Sequence, residues 1–217
     1  MRTLFTLDIK DYNPAWTHRK RPSARAIIVL PAADAGIGTI CADSLPLSME
    51  TTIALVYAGR KGYYKFPGGG IRDGENDVQA LMREVREECG LSVIPESVRG
   101  YGAVLRLQKS DTAPDVIFEQ RSAYYFCDVA RDADGGLKIT AQNLDDYERE
   151  DDFALRTVSI KDAVAANRCF DSDDRFDLAM VARDTRVLEG LCGIACEPPR
   201  GFARMLLEDG VQGNLKQ

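Results

Sequence analysis

One stretch restricts the fold of this chain more than any other: FPGGGIRDGENDVQALMREVREECGL, residues 66–91. A helix over Asn76 to Cys89 follows from its spacing, because Val78, Leu81, Met82, Val85 and Cys89 fall in one narrow wedge at about 100° per residue. That wedge must be buried against another layer. Asp73 or Asn76 can cap the start, and Gly90 stands where a helix ends in the left-handed conformation.

The other side of the same helix carries Glu84, Glu87 and Glu88, which share an arc about 100° wide. Like charges three and four apart repel by a few tenths of a kcal/mol, so something must compensate. Three converging carboxylates are hard oxygen donors suited to Mg²⁺ or Mn²⁺. The plain alternative is a solvated acidic face. Arg83 stands beside Glu84 and four residues before Glu87, where it can orient a carboxylate or meet a phosphate oxygen. The preceding Gly68, Gly69 and Gly70 allow close backbone approach to a ligand, although a glycine run alone is weak evidence of a site.

Around this helix the chain reads as a mixed α/β domain with helices on both faces of a sheet. Strands are expected at RAIIVL, TIALVYA, GYGAVLRLQ, VIFEQRSAYYFCDVA, LKIT and ALRTVSI. Pro114 marks the loop between the two long ones, and QNLDDYEREDDF reads as an acidic loop. Residues 31–51 read as a surface excursion that can hold one short strand. IKDAVAAN begins a helix. A last helix follows, in which Phe176, Met180, Val187 and Leu191 make an apolar stripe with Val181 and Leu188 alongside, as a helix packed on the core requires. The tail after Pro198 carries no clear pattern. The expected organisation is an N-terminal arm over 1–24, a main domain over 25–168 and a C-terminal helical extension over 169–217 packed on it.

Composition narrows the function. A net charge of -6 argues against sequence-independent binding to nucleic acid or anionic membranes. A basic run, His18 to Arg21, can touch a phosphate but reads first as solvated charge. Six cysteines without a CxxC pair, and a single histidine, fit reduced thiols rather than a disulfide framework or a zinc site. With no signal sequence and no apolar run of membrane length, a soluble cytoplasmic protein is expected.

The spacing Gly69, five residues, Glu75, seven residues, then Arg83-Glu84-Val85-Arg86-Glu87-Glu88-Cys89-Gly90-Leu91 resembles the Nudix box, G-x5-E-x7-R-E-U-x-E-E-x-G-U with U aliphatic. Every fixed position is filled. The resemblance implies a Nudix hydrolase with an α/β/α sandwich built on a mixed sheet, cleaving a nucleoside diphosphate linked to another moiety. It implies that Glu84, Glu87 and Glu88 hold Mg²⁺ or Mn²⁺, with a backbone carbonyl from Gly68. Arg83 would orient Glu84, Glu75 would brace the loop–helix turn, and Glu84 is the candidate base. Gly69, Gly70 and Arg83 would meet the substrate. Many such sites take a further acid from outside the box; candidates are Glu119 and Glu150, with Glu148, Asp151 and Asp152 beside it. Tyr63, Tyr64 and Phe66 can stack on a base or fill the core. Replacing Glu87 or Glu88 by Gln should abolish hydrolysis and leave the fold intact. The alternative is a catalytically silent Nudix-fold sensor or interaction module, which would usually lack box glutamates. Substrate identity stays open, as does a homodimer.

Overall fold

A computed structural model describes residues 1–30 and 45–208 of the chain. Most of the expected surface excursion, with Cys41, lies outside the described residues. The described part forms a nine-stranded mixed sheet and five helices. The strands are β1 (Thr3–Asp8), β2 (Thr17–Lys20), β3 (Ser23–Val29), β4 (Thr52–Ala58), β5 (Tyr63–Lys65), β6 (Gly68–Gly70), β7 (Arg99–Lys109), β8 (Val116–Phe126) and β9 (Phe153–Ser159). The helices are α1 (Asp77–Cys89), α2 (Asp146–Glu150), α3 (Ile160–Cys169), α4 (Arg175–Leu191) and α5 (Arg200–Glu208).

The main path through the sheet is β1-β7-β8-β3-β4-β5, with β2 on β8, β6 on β3 and β9 on β4. Every residue of β3 is buried, as befits a central strand covered on both faces. Its alternation sorts the core into two layers. Ala24, Ala26 and Ile28 share one cluster with Leu81 and Val85 of α1. Ile27 and Val29 share the other with Ile160 and Val164 of α3 and Leu188 of α4. The sheet is therefore sandwiched between helices. Burying one Leu81-sized side chain this way is worth roughly 1.5–3 kcal/mol. Helix α4 touches both clusters, Leu178 in the first and Val187 in the second, so its middle lies at the boundary between them.

Local chemistry explains the helix ends. Asn76, rather than Asp73, caps α1: its side chain accepts from the Gln79 N–H, and the Gln79 side chain accepts from the Asn76 N–H. Gly90 closes α1 at φ 67°, and any Cβ there would overlap the Thr140 carbonyl.

Several elements differ from the sequence expectation. Residues 1–24 supply β1 and β2, which run parallel to β7 and β8. All four residues of β2 are exposed, so no apolar alternation marks it. LKIT forms only an isolated bridge, Arg131 to Leu137. The acidic loop contains the short helix α2, and the patternless tail contains α5, which buries Phe202, Met205 and Leu206. Among the described residues no helix is long and apolar enough to cross a membrane.

Candidate active site

Helix α1 and strand β6 meet at the glycine run, and Arg83 is the hub of that junction. Its Nε and Nη2 donate to the two oxygens of Glu75 at 2.6 and 2.9 Å, a bidentate pair. Nη1 donates to Glu84 Oε1 at 2.6 Å and to Glu87 Oε2 at 3.0 Å, and Nη2 also reaches the Gly70 carbonyl at 2.9 Å. One guanidinium thus ties three carboxylates to the loop. The Glu75 carboxyl is held down at about 2, first by Arg83 and then by the Arg72 backbone N–H. Glu75 in return raises the Arg83 pKa.

Glu84 packs directly on the glycine run. A Cβ at Gly69 would overlap its carboxylate, so the helix and β6 approach this closely only because position 69 has no side chain.

Glu88 is held by different partners. It is 1% exposed, accepts from Lys65 Nζ at 2.6 Å and from the Gly68 N–H at 2.8 Å. Burial raises its pKa, against the pull of Lys65 and Arg25. By the 100° step Glu88 lies only about 20° from Leu81, so the edge of the acidic arc turns into the core. The Gly68 carbonyl, the backbone ligand expected from the box, accepts from Arg25 Nη1. The repulsion among the three glutamates is therefore relieved by Arg83 and Lys65 in this arrangement.

Two clefts flank the ridge of α1. The one of about 630 Å³ is lined by Arg83, Arg86 and Glu87 together with residues 141–143. The other, about 470 Å³, is lined by Gly68, Gly69, Gly70, Glu84 and a set of basic side chains that includes Arg25, Lys65 and Arg183. The smaller cleft is the better candidate, because it joins the glycine strand to Glu84 and to positive charge that an anion would meet. Lys61, at 2.8 Å from both Asp151 and Asp177, stands on its wall.

The further acids fall in different places. Glu119 pairs with His18 at 2.6 Å and does not line the cleft. Glu150 ends α2 and does not line it either, whereas its neighbour Asp151 does. Tyr63 and Phe66 are core residues, set edge-on to Phe170 and Tyr124, and Tyr64 packs on Tyr57.

The donor set suits a hard divalent cation. Arg83 takes one oxygen of Glu84 and one of Glu87, leaving Glu84 Oε2 and Glu87 Oε1 without a hydrogen bond among the described residues. Among those residues no three His, Cys, Asp or Glu side chains already converge as a metal cluster. Mg²⁺ does not require one, since it is usually held by one or two carboxylates with substrate phosphates and water.

Sequence reasoning passed over Lys65, Arg25, Arg183 and Asp184. Lys65 shares strand parity with buried Tyr63. Asp184 lies four residues after Met180, in the gap of the α4 stripe, and its carboxylate accepts from Tyr124 Oη at 2.6 Å and the Phe66 N–H at 3.2 Å. A charge at an inward position was the available signal.

A family model described as NUDIX domain matches residues 46–175, more than half of the chain. An 8-oxo-dGTP diphosphatase of Proteus vulgaris is 50% identical over 32 residues, which span 15% of this chain and 29% of that protein. Among solved structures, a NUDIX hydrolase from Nitrosomonas europaea aligns with TM-score 0.39 and 17% identity, over 78% of this chain and 90% of that one. A MutT NUDIX hydrolase from Burkholderia pseudomallei aligns with TM-score 0.38 and 16% identity, over 65% and 84%.

Proposed function

Because the chain belongs to the NUDIX domain family, we propose that it is a divalent-cation-dependent pyrophosphohydrolase, cleaving the diphosphate linkage of a nucleoside diphosphate joined to another moiety. The observation that carries this reading is the complete box folded into one junction, with Glu84 seated on the glycine strand at the wall of a cation-lined cleft.

In this reading Glu84 and Glu87 would hold Mg²⁺ or Mn²⁺, each having one oxygen that Arg83 does not bond. Glu88 and the Gly68 carbonyl would join them only by exchanging Lys65 and Arg25 as partners. When bound, such a cation neutralises phosphate charge and makes water more acidic. Glu84 is the base that accepts the proton as water attacks one phosphorus, and two phosphorylated products leave. Arg83 fixes the orientation of Glu84, and Glu75 fixes Arg83. In phosphoryl transfer such positioning and charge neutralisation supply most of the acceleration.

A silent sensor has one observation in its favour, the absence of an assembled three-acid cluster among the described residues. Against it stands the retention of all three box glutamates. A panel of diphosphate compounds incubated with Mg²⁺, Mn²⁺ or EDTA, with products separated by chromatography, distinguishes the two. The enzyme releases phosphorylated products from at least one compound only when metal is present; inactivity across the panel favours the sensor.

A further inference from the structure

Three buried arginines near the cleft are left over from the hydrolytic reading. Arg25 on β3, Arg106 on β7 and Arg183 on α4 are 6%, 0% and 1% exposed. Of the three, only Arg183 bonds a carboxylate among the described residues, Asp184 at 2.8 Å; its Nη1 reaches Gln120 and Ser122 at 3.1 and 3.2 Å. Among the described residues Arg25 bonds only the carbonyls of Gly68 and Phe66. Arg106 reaches one carbonyl, that of Phe176, at 3.4 Å, and lies over the Phe176 and Phe118 rings at 4.2 and 5.1 Å.

Donors remain over. Arg25 Nε, Arg106 Nε and Nη2, and Arg183 Nη2 are buried without a hydrogen-bond partner among the described residues. An unmade hydrogen bond from a buried charged group is costly, which is why such groups are normally paired. Charge is unevenly placed as well: among the described residues no carboxylate bonds Arg25 or Arg106, while Arg183 bonds Asp184 and Lys65 bonds Glu88. Of the acids that line the cleft, Asp151 and Asp177 pair with Lys61 and Glu84 with Arg83, and Asp145 lines it too. Arg25 and Arg183 both line the cleft beside Lys65. Both also lie outside the segment that the family model matches.

We propose that Arg25 and Arg183 form an oxyanion subsite for a phosphate group in this cleft, one that binds without metal. Two guanidinium groups line one cleft, a phosphate that binds there takes up donors they do not use among the described residues, and its charge offsets theirs. Arg106, stacked on Phe118 and Phe176, does not line the cleft and is no part of the subsite. The identity of the compound that brings the phosphate rests on the hydrolase reading; the binding of the anion does not.

The test is calorimetric titration of the full chain with inorganic phosphate in EDTA. Saturable binding is expected, weakened about tenfold in Arg183→Lys and lost in Arg183→Gln. If Arg183→Gln does not fold, Arg25→Lys is read in its place, with the same tenfold weakening expected. No saturable binding by the wild-type chain overturns the proposal, and so does equal binding by the arginine variants. Turnover then separates the sources of the phosphate. A raised KM in Arg183→Lys assigns it to substrate, whereas an unchanged KM with relief of phosphate inhibition assigns it to released product. If neither changes, the subsite is refuted, while hydrolysis itself stands.

Discussion

Replacing Lys65 by Met tests how the buried end of the acidic helix is balanced. Lys65 Nζ lies 2.6 Å from Glu88 Oε1, with side chains 5% and 1% exposed. Removing one partner of a buried pair costs about 3–5 kcal/mol, because the other charge stays desolvated. The variant has a route to relief, since Glu88 can take up a proton. Burial already raises the Glu88 pKa, and Lys65 is the strongest influence opposing that rise. Without Lys65 the folded-state value climbs further above the unfolded ~4.3. A carboxyl with a raised folded pKa leaves stability intact below the unfolded value and loses it as pH rises through the folded one. The deficit of Lys65→Met relative to wild type should therefore be about 3–5 kcal/mol near pH 8 and shrink toward the ~1 kcal/mol of a lost hydrogen bond near pH 5. Urea unfolding of both proteins across that range measures it, and Lys65→Met/Glu88→Gln should recover part of the loss at pH 8. A deficit independent of pH, or below about 1 kcal/mol throughout, would refute the pairing as the dominant local interaction.

Other substitutions probe the remaining contacts. Gly69→Ala should displace the Glu84 carboxylate and lower turnover; because the group displaced is a side-chain end, the melting temperature should fall little, by the equivalent of under ~1 kcal/mol. Gly90→Ala meets a backbone carbonyl at positive φ and should cost more than the usual ~1 kcal/mol for such a site, read by thermal unfolding. Arg83→Met should let the Glu75 carboxyl rise from about 2 toward ~4.3, followed by NMR titration. In the wild type the Glu75 contribution to stability is present above the unfolded pKa and lost as pH falls toward 2.

The helix of the box was readable because period, cap and stop agree: Leu81 and Val85 are buried, Asn76 caps and Gly90 is left-handed. The strands with β-branched or aromatic runs, β3, β4, β7, β8 and β9, were readable for the same kind of reason. Exposed β2 has no such pattern, whereas α5 carries one in Phe202, Met205 and Leu206 that is short, nine residues in all. Within the site, Arg83, Glu75 and Glu84 come together around the glycines as the box implies. Glu88 is engaged by Lys65, a partner that local spacing cannot reveal because it comes from 23 residues earlier in the chain. This changes one expectation: Glu88→Gln leaves Lys65 buried without its counter-ion, so loss of activity there will be mixed with loss of stability. Arg25, Arg106 and Arg183 come from three separate elements, and their proximity is a product of tertiary structure alone.

Glu84 gives the most direct test of the hydrolase reading. On a substrate found in the diphosphate panel, kcat with Mg²⁺ should fall by at least ~100-fold in Glu84→Gln, the usual scale for loss of a general base. Unfolding midpoints of the two proteins should stay close. Turnover within a few-fold of wild type, or wild-type turnover that persists in EDTA, would contradict a metal-dependent site built on Glu84.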